Sequence, residues 1–140
     1  MPGRAIVVHS LDDARIALAA AAAVARPVRL FSAPAAAGYA GAGWFAQVTA
    51  LASADFPQVQ FEAVLDCGDG AGLVMAALRE GLKTLRFTGP EAIAAKLSDM
   101  ARASGARLIK SEIPALDLRS ERDPIEAARA WLTSDGASLQ

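Results

Sequence analysis

Two patterns of apolar positions alternate along this chain. Short runs rich in β-branched or aromatic residues occur at positions 5–9, 28–31, 61–65, 84–87 and 107–109. They are apolar on consecutive positions, as expected of parallel strands covered by helices on two faces. Between them lie longer alanine-rich stretches at 12–25, 44–54, 71–81 and 91–104, with a last one at 124–133. These have the length and spacing of helices. Capping chemistry supports them: Ser10 stands three residues before Asp13, Thr88 before Glu91, and Asp123 before Glu126. Pro90 and Pro124 fit first turns, and Gly81 and Gly105 fit helix ends. The pattern predicts one α/β domain over residues 1–140, built on a five-stranded parallel sheet. The expected architecture is a three-layer sandwich, Rossmann or flavodoxin-like or half-TIM-barrel-like.

Two stretches fall outside the alternation. Residues 33–43, rich in Ala and Gly and holding Tyr39, read as a loop over the end of the sheet. Residues 111–122 read as an arm or flap, whose Ile113, Leu116 and Leu118 need burial. Trp44, Phe45 and Trp131 read as core or interface anchors, and the scattered arginines from Arg102 to Arg129 as a solvated surface.

Composition narrows the function classes. The 140 residues are 54% hydrophobic and 21% charged, with a net charge of −1. Such a chain is too apolar for disorder and too neutral to bind nucleic acid by charge alone. Its longest apolar run, 16–25, is about half a membrane span. Asp12, Asp13 and Arg15 directly before that run are foreign to a signal peptide, so a cytoplasmic protein is expected. The lone Cys67 forms no internal disulfide, in keeping with a reducing compartment.

Ligands of parallel α/β sheets bind at the carboxyl ends of the strands. There the sequence places His9, Ser10, Ser32, Asp66, Cys67, Gly68, Asp69, Gly70, Thr88 and Glu112. Ser10, Asp69 and Thr88 also read as plain helix caps, and Cys67 as a small buried hydrophobe. Asp66-Cys67-Gly68-Asp69-Gly70-Ala71-Gly72 follows a strand and opens a helix, a place where backbone amides can meet an anion. It is no dinucleotide fingerprint, because Leu73 stands where the third glycine belongs, and it lacks the Gly-Lys-Ser/Thr of a P-loop. Its two aspartates repel phosphate unless a divalent metal intervenes. Asp66 and His9 are the candidate catalytic residues; Ser10, Ser32, Cys67, Gly68, Asp69, Gly70, Thr88 and Glu112 are candidate ligand-binding residues.

From Val8 to about Gly105 the order of features resembles the N-terminal half of the class II, metal-dependent ketose-bisphosphate aldolases, in degenerate and truncated form. The residues that carry this are Val8-His9-Ser10 with the alanine-rich helix after them, Ser32, Ala36 and Tyr39-Ala40-Gly41, then Leu65-Asp66-Cys67-Gly68, and Ala77-Leu78-Arg79-Glu80-Gly81. The resemblance implies that Asp66 is the acid/base and that Cys67 replaces a metal-binding histidine. With His9 as the one histidine, it also implies that this chain alone cannot build that family's metal site. The expectation is therefore a domain that binds a small polar ligand at the carboxyl edge without full aldolase chemistry. The alternatives are a metal-assisted lyase using Asp66, for which a divalent metal is the cofactor, and a homodimeric structural or interaction protein. Self-association is expected, because an open sheet leaves two edges.

Overall fold

The computed structural model describes residues 3–134. Its strands are β1 (Arg4–Val7), β2 (Val28–Phe31), β3 (Phe61–Asp66), β4 (Thr84–Arg86), β5 (Arg107–Ile109) and β6 (Ala115–Asp117). Its α-helices are α1 (Leu11–Val24), α2 (Ala42–Ala54), α3 (Ala71–Arg79), α4 (Glu91–Ala103) and α5 (Pro124–Thr133). Every strand pair is parallel, and the order across the sheet is β5-β4-β3-β2-β1-β6. The α/β class with a single parallel sheet is as the sequence predicts.

The sheet has six strands rather than five. The addition is β6, which lies within the stretch expected to be an arm or flap and pairs Ala115 with Ala5 and Asp117 with Val7. Ala115-Leu116-Asp117 holds no β-branched or aromatic residue, so the sequence pattern conceals it.

The strand order decides where the helices go. From β1 to β5 the chain steps steadily in one direction, and right-handed crossovers then put every connecting helix on the same face. The core accordingly divides in two. On the helix side, Ile6, Val8, Val28, Leu30, Leu65, Cys67, Leu85 and Phe87 pack against all five helices. Alanines dominate the buried helix faces, as in Ala14, Ala17, Ala20 and Ala21 of α1, so the helices lie close to the sheet. On the other side, Ala5, Phe31, Val64 and Ile109 form a smaller cluster with Val7, Ile113 and Ala115 and no helix residue, so helices cover one face of the sheet and not the two expected from the apolar strands. This is the half-barrel-like arrangement among those the sequence allows.

Chain reach explains the curvature. Six flat strands span roughly 24 Å from edge to edge. The link from Ile109 to Ala115 reaches about 20 Å when extended, and it must also return along the strand direction. The sheet therefore curls, and Ile113 of the link closes over the inner cluster.

Candidate functional site

Alternation along each strand sorts the polar residues at the carboxyl edge. Asp66 follows Val64 onto the inner face, and Cys67 follows Leu65 onto the helix side. The Asp66 carboxylate is buried and held by three hydrogen bonds. Oδ1 accepts the amides of Ala35 and Gly68, both at 2.9 Å, and Oδ2 takes Arg86 Nη1 at 2.9 Å. Its own amide donates to Ser32 Oγ at 2.9 Å, and that buried hydroxyl donates to the Ala33 carbonyl. Arg86 Nε in turn holds the Ser111 carbonyl at 3.0 Å, so the link from β5 to β6 is tied to the same knot.

The glycine turn is closed on itself. Gly68, at φ +57°, donates to Asp66, and Gly70 donates to the Cys67 carbonyl at 3.1 Å. These two amides are thus occupied by the chain, which weakens the turn as an anion cradle. Asp69 is exposed beside it, and Gly70 is the N-cap position of α3. Cys67 is 1% exposed. Burial, and after it the neighbouring Asp66 carboxylate, push its thiol up to about 12. A protonated thiol in the helix-side core is neither a nucleophile nor a ready metal ligand at neutral pH.

His9 follows Val8 out of β1 and meets a partner the sequence reading passed over. Its Nε2 lies 2.7 Å from Asp117 Oδ1 at the end of β6. The same oxygen accepts the Arg119 amide at 3.0 Å. An ionised carboxylate only accepts, so Nε2 carries the proton and a neutral His9 presents Nδ1 as a lone pair. Nδ1 has no hydrogen-bond partner among the described residues. His9, Arg119, Tyr39 and Trp44 line a small pocket of about 90 Å³ with Val8, Ala33, Ala36 and Ala40. The 33–43 loop does cover this end of the sheet. Part of it forms α2, whose start at Ala42 precedes the expected one.

The remaining candidates take other places. Ser10 is an N-cap, its Oγ accepting the Asp13 amide at 3.1 Å, while Asp13 Oδ2 accepts the His9 amide at 2.9 Å. Thr88 is exposed and does not cap α4, whose N-cap position is Pro90, and Glu112 is exposed on the link. Asp66 and His9 thus stand at one edge in separate bonding networks. Among the described residues no group of three His, Cys, Asp or Glu side chains is placed to hold a metal ion. The metal donor implied by the aldolase resemblance does not fit, since Cys67 is protonated and faces the helices, and Asp66, the implied acid/base, is held by two amides and Arg86. Asp117 and Arg86 are the residues that the sequence reading does not single out, and Arg119, read as solvated surface, is exposed and lines the pocket. Arg86 carried a signal, because a charge at an inward position of an apolar strand needs a buried partner.

No helix among the described residues is long and apolar enough to cross a membrane. No family model matches the sequence, and no curated protein matches it. Among solved structures that match, a candidate fructose-1,6-biphosphate aldolase from Coccidioides immitis superposes with a TM-score of 0.64. Identity is 18%, over 76% of this chain and 40% of that chain. At that identity the likeness is one of fold: the chain shares an aldolase-like α/β architecture and spans well under half the length of that neighbour.

Proposed function

We propose that this chain is a cytoplasmic domain that binds a small polar ligand in the pocket between β1, β6 and the 33–43 loop, without aldolase metal chemistry. The observation that carries this is the 2.7 Å His9–Asp117 pair beside a pocket that Arg119 also lines. The pair fixes the imidazole tautomer, so Nδ1 accepts from a ligand hydroxyl while Arg119 meets an acceptor oxygen. A pocket of about 90 Å³ takes a group of a few heavy atoms, such as the head of a small hydroxy acid or polyol. His9 is the sequence's one histidine, so its ring protons are a unique NMR probe. Titration with glycolate, with glycerol as the neutral arm, should shift them saturably, and His9→Ala should abolish binding. Unmoved His9 resonances in both arms, or ligand binding unchanged in His9→Ala, would overturn the reading.

Self-association belongs to the same proposal. Ile125, 55% exposed, lines an apolar cleft with Ile16 and Phe56, and β5 and β6 are sheet edges. Sedimentation should find dimers; a monomer at every working concentration removes this element.

A further inference from the structure

The opposite, N-terminal mouth of the curled sheet holds a larger cleft, of about 510 Å³. That is the size of small-molecule sites. Three arginines line it: Arg4 at the start of β1, Arg26 in the turn before β2, and Arg29 within β2. None of the three is in an ion pair among the described residues. Glu62, the cross-strand neighbour of Arg29, is turned instead to Arg107 and Thr84.

Two of these arginines are held in place by the protein. The Arg4 guanidinium lies 3.7 Å from the centre of the Trp131 ring and bonds Ser134 Oγ at 3.2 Å. Arg29 Nε donates to the Gly3 carbonyl at 3.0 Å, which leaves its two terminal nitrogens for another acceptor. Arg26 is exposed at the rim. Ile113, Pro114 and Leu132 supply an apolar wall. Like charges gathered in one cleft repel each other, and an anion relieves that repulsion.

We infer that this mouth binds a small polyanion, whose phosphate or carboxylate oxygens take the arginine forks while its carbon skeleton lies on the apolar wall. The site is separate from the His9 pocket and stands or falls without it.

Calorimetric titration of the full chain with pyrophosphate and with citrate tests it, each arm reporting one oxyanion source. Saturable binding of either is expected, weakened about tenfold by Arg26→Ala and again by Arg29→Gln, and unchanged by Arg119→Ala. Arg26 is exposed, so its variant keeps the fold, and circular dichroism checks both variants. Three outcomes overturn the inference: no saturable binding in either arm, binding that survives both mouth substitutions in folded protein, or loss on Arg119→Ala alone.

Discussion

Asp66 and Asp117 end parallel strands on the same inner face of one sheet, yet they inhabit different chemistry. Around Asp66 every contact is made by the chain. Two loop amides, one guanidinium and a buried serine close the region over β2, β3 and β4, and the Asp66 side chain is 7% exposed. Around Asp117 the side chain is 44% exposed and holds an imidazole whose second nitrogen is unengaged among the described residues. A carboxylate at the right edge is therefore no guide to a site by itself. What separates a rivet from a reactive group is whether its partners leave anything for a ligand.

The strongest way to break this contrast is Asp66→Ala. It strands the largely buried Arg86 and removes the acceptor of two amides, so it should cost about 3–5 kcal/mol, read from urea unfolding. A loss below about 1 kcal/mol would mean that Asp66 is not the structural knot described. Asp66→Asn, which keeps an acceptor for the amides, should fall between.

Cys67 sharpens the same side of the comparison. The unfolded thiol ionises near 9.0 and the native one near 12. Between those values the unfolded chain loses a proton that the native state keeps. Stability therefore falls as pH rises, by roughly 1.4 kcal/mol per unit, and the contribution is intact below pH 9. Unfolding of the protein and of Cys67→Ala across that range isolates the effect, because the variant should lack that part of the slope. Equal slopes would show a thiol less buried than the fold places it.

Gly68→Ala probes the turn between Asp66 and the loop. A side chain there adopts φ +57° and brings its Cβ to 3.2 Å from that of Ala35. The expected cost is about 1–2 kcal/mol in thermal unfolding. A neutral substitution would say that the turn is free to relax, and with it the seal over Asp66.

These same residues show what the sequence could and could not reveal. Strands β1 to β5 and the helices are legible because apolar runs and caps such as Ser10 and Asp123 are local signals. Strand β6 is not, because Ala115–Asp117 is strand only by pairing with β1, a contact more than a hundred residues away. The site was half legible for the same reason. His9 stood out as a lone histidine at a strand end, while its partner Asp117 lay in a segment with no visible strand. Asp66 stands out in the sequence as an acid at a strand end, but its bonding to Arg86 and the Ala35 amide is recorded by no local pattern. Cys67 shows the smallest gap: once β3 is placed, period-two alternation alone separates it from Asp66.

Asp117→Asn should have the smallest effect on stability, and the largest on the open side of the comparison. The pair is partly exposed, so its hydrogen bond contributes about 1 kcal/mol or less, and asparagine keeps an oxygen for the Arg119 amide. What changes is the tautomer rule. A carboxylate accepts only, and so fixes the proton on Nε2; an amide can donate to Nε2 and leave the proton on Nδ1. Nitrogen-15 shifts of the ring distinguish the two tautomers directly. The expected result is a near-unchanged unfolding curve, a shift of the proton toward Nδ1, and weaker binding of any ligand that gives a hydroxyl to that nitrogen. If the tautomer stays fixed on Nε2 in Asp117→Asn, the carboxylate does not set the imidazole's polarity. Asp117 would then be a turn residue like Ser10, and the contrast with Asp66 would reduce to exposure alone.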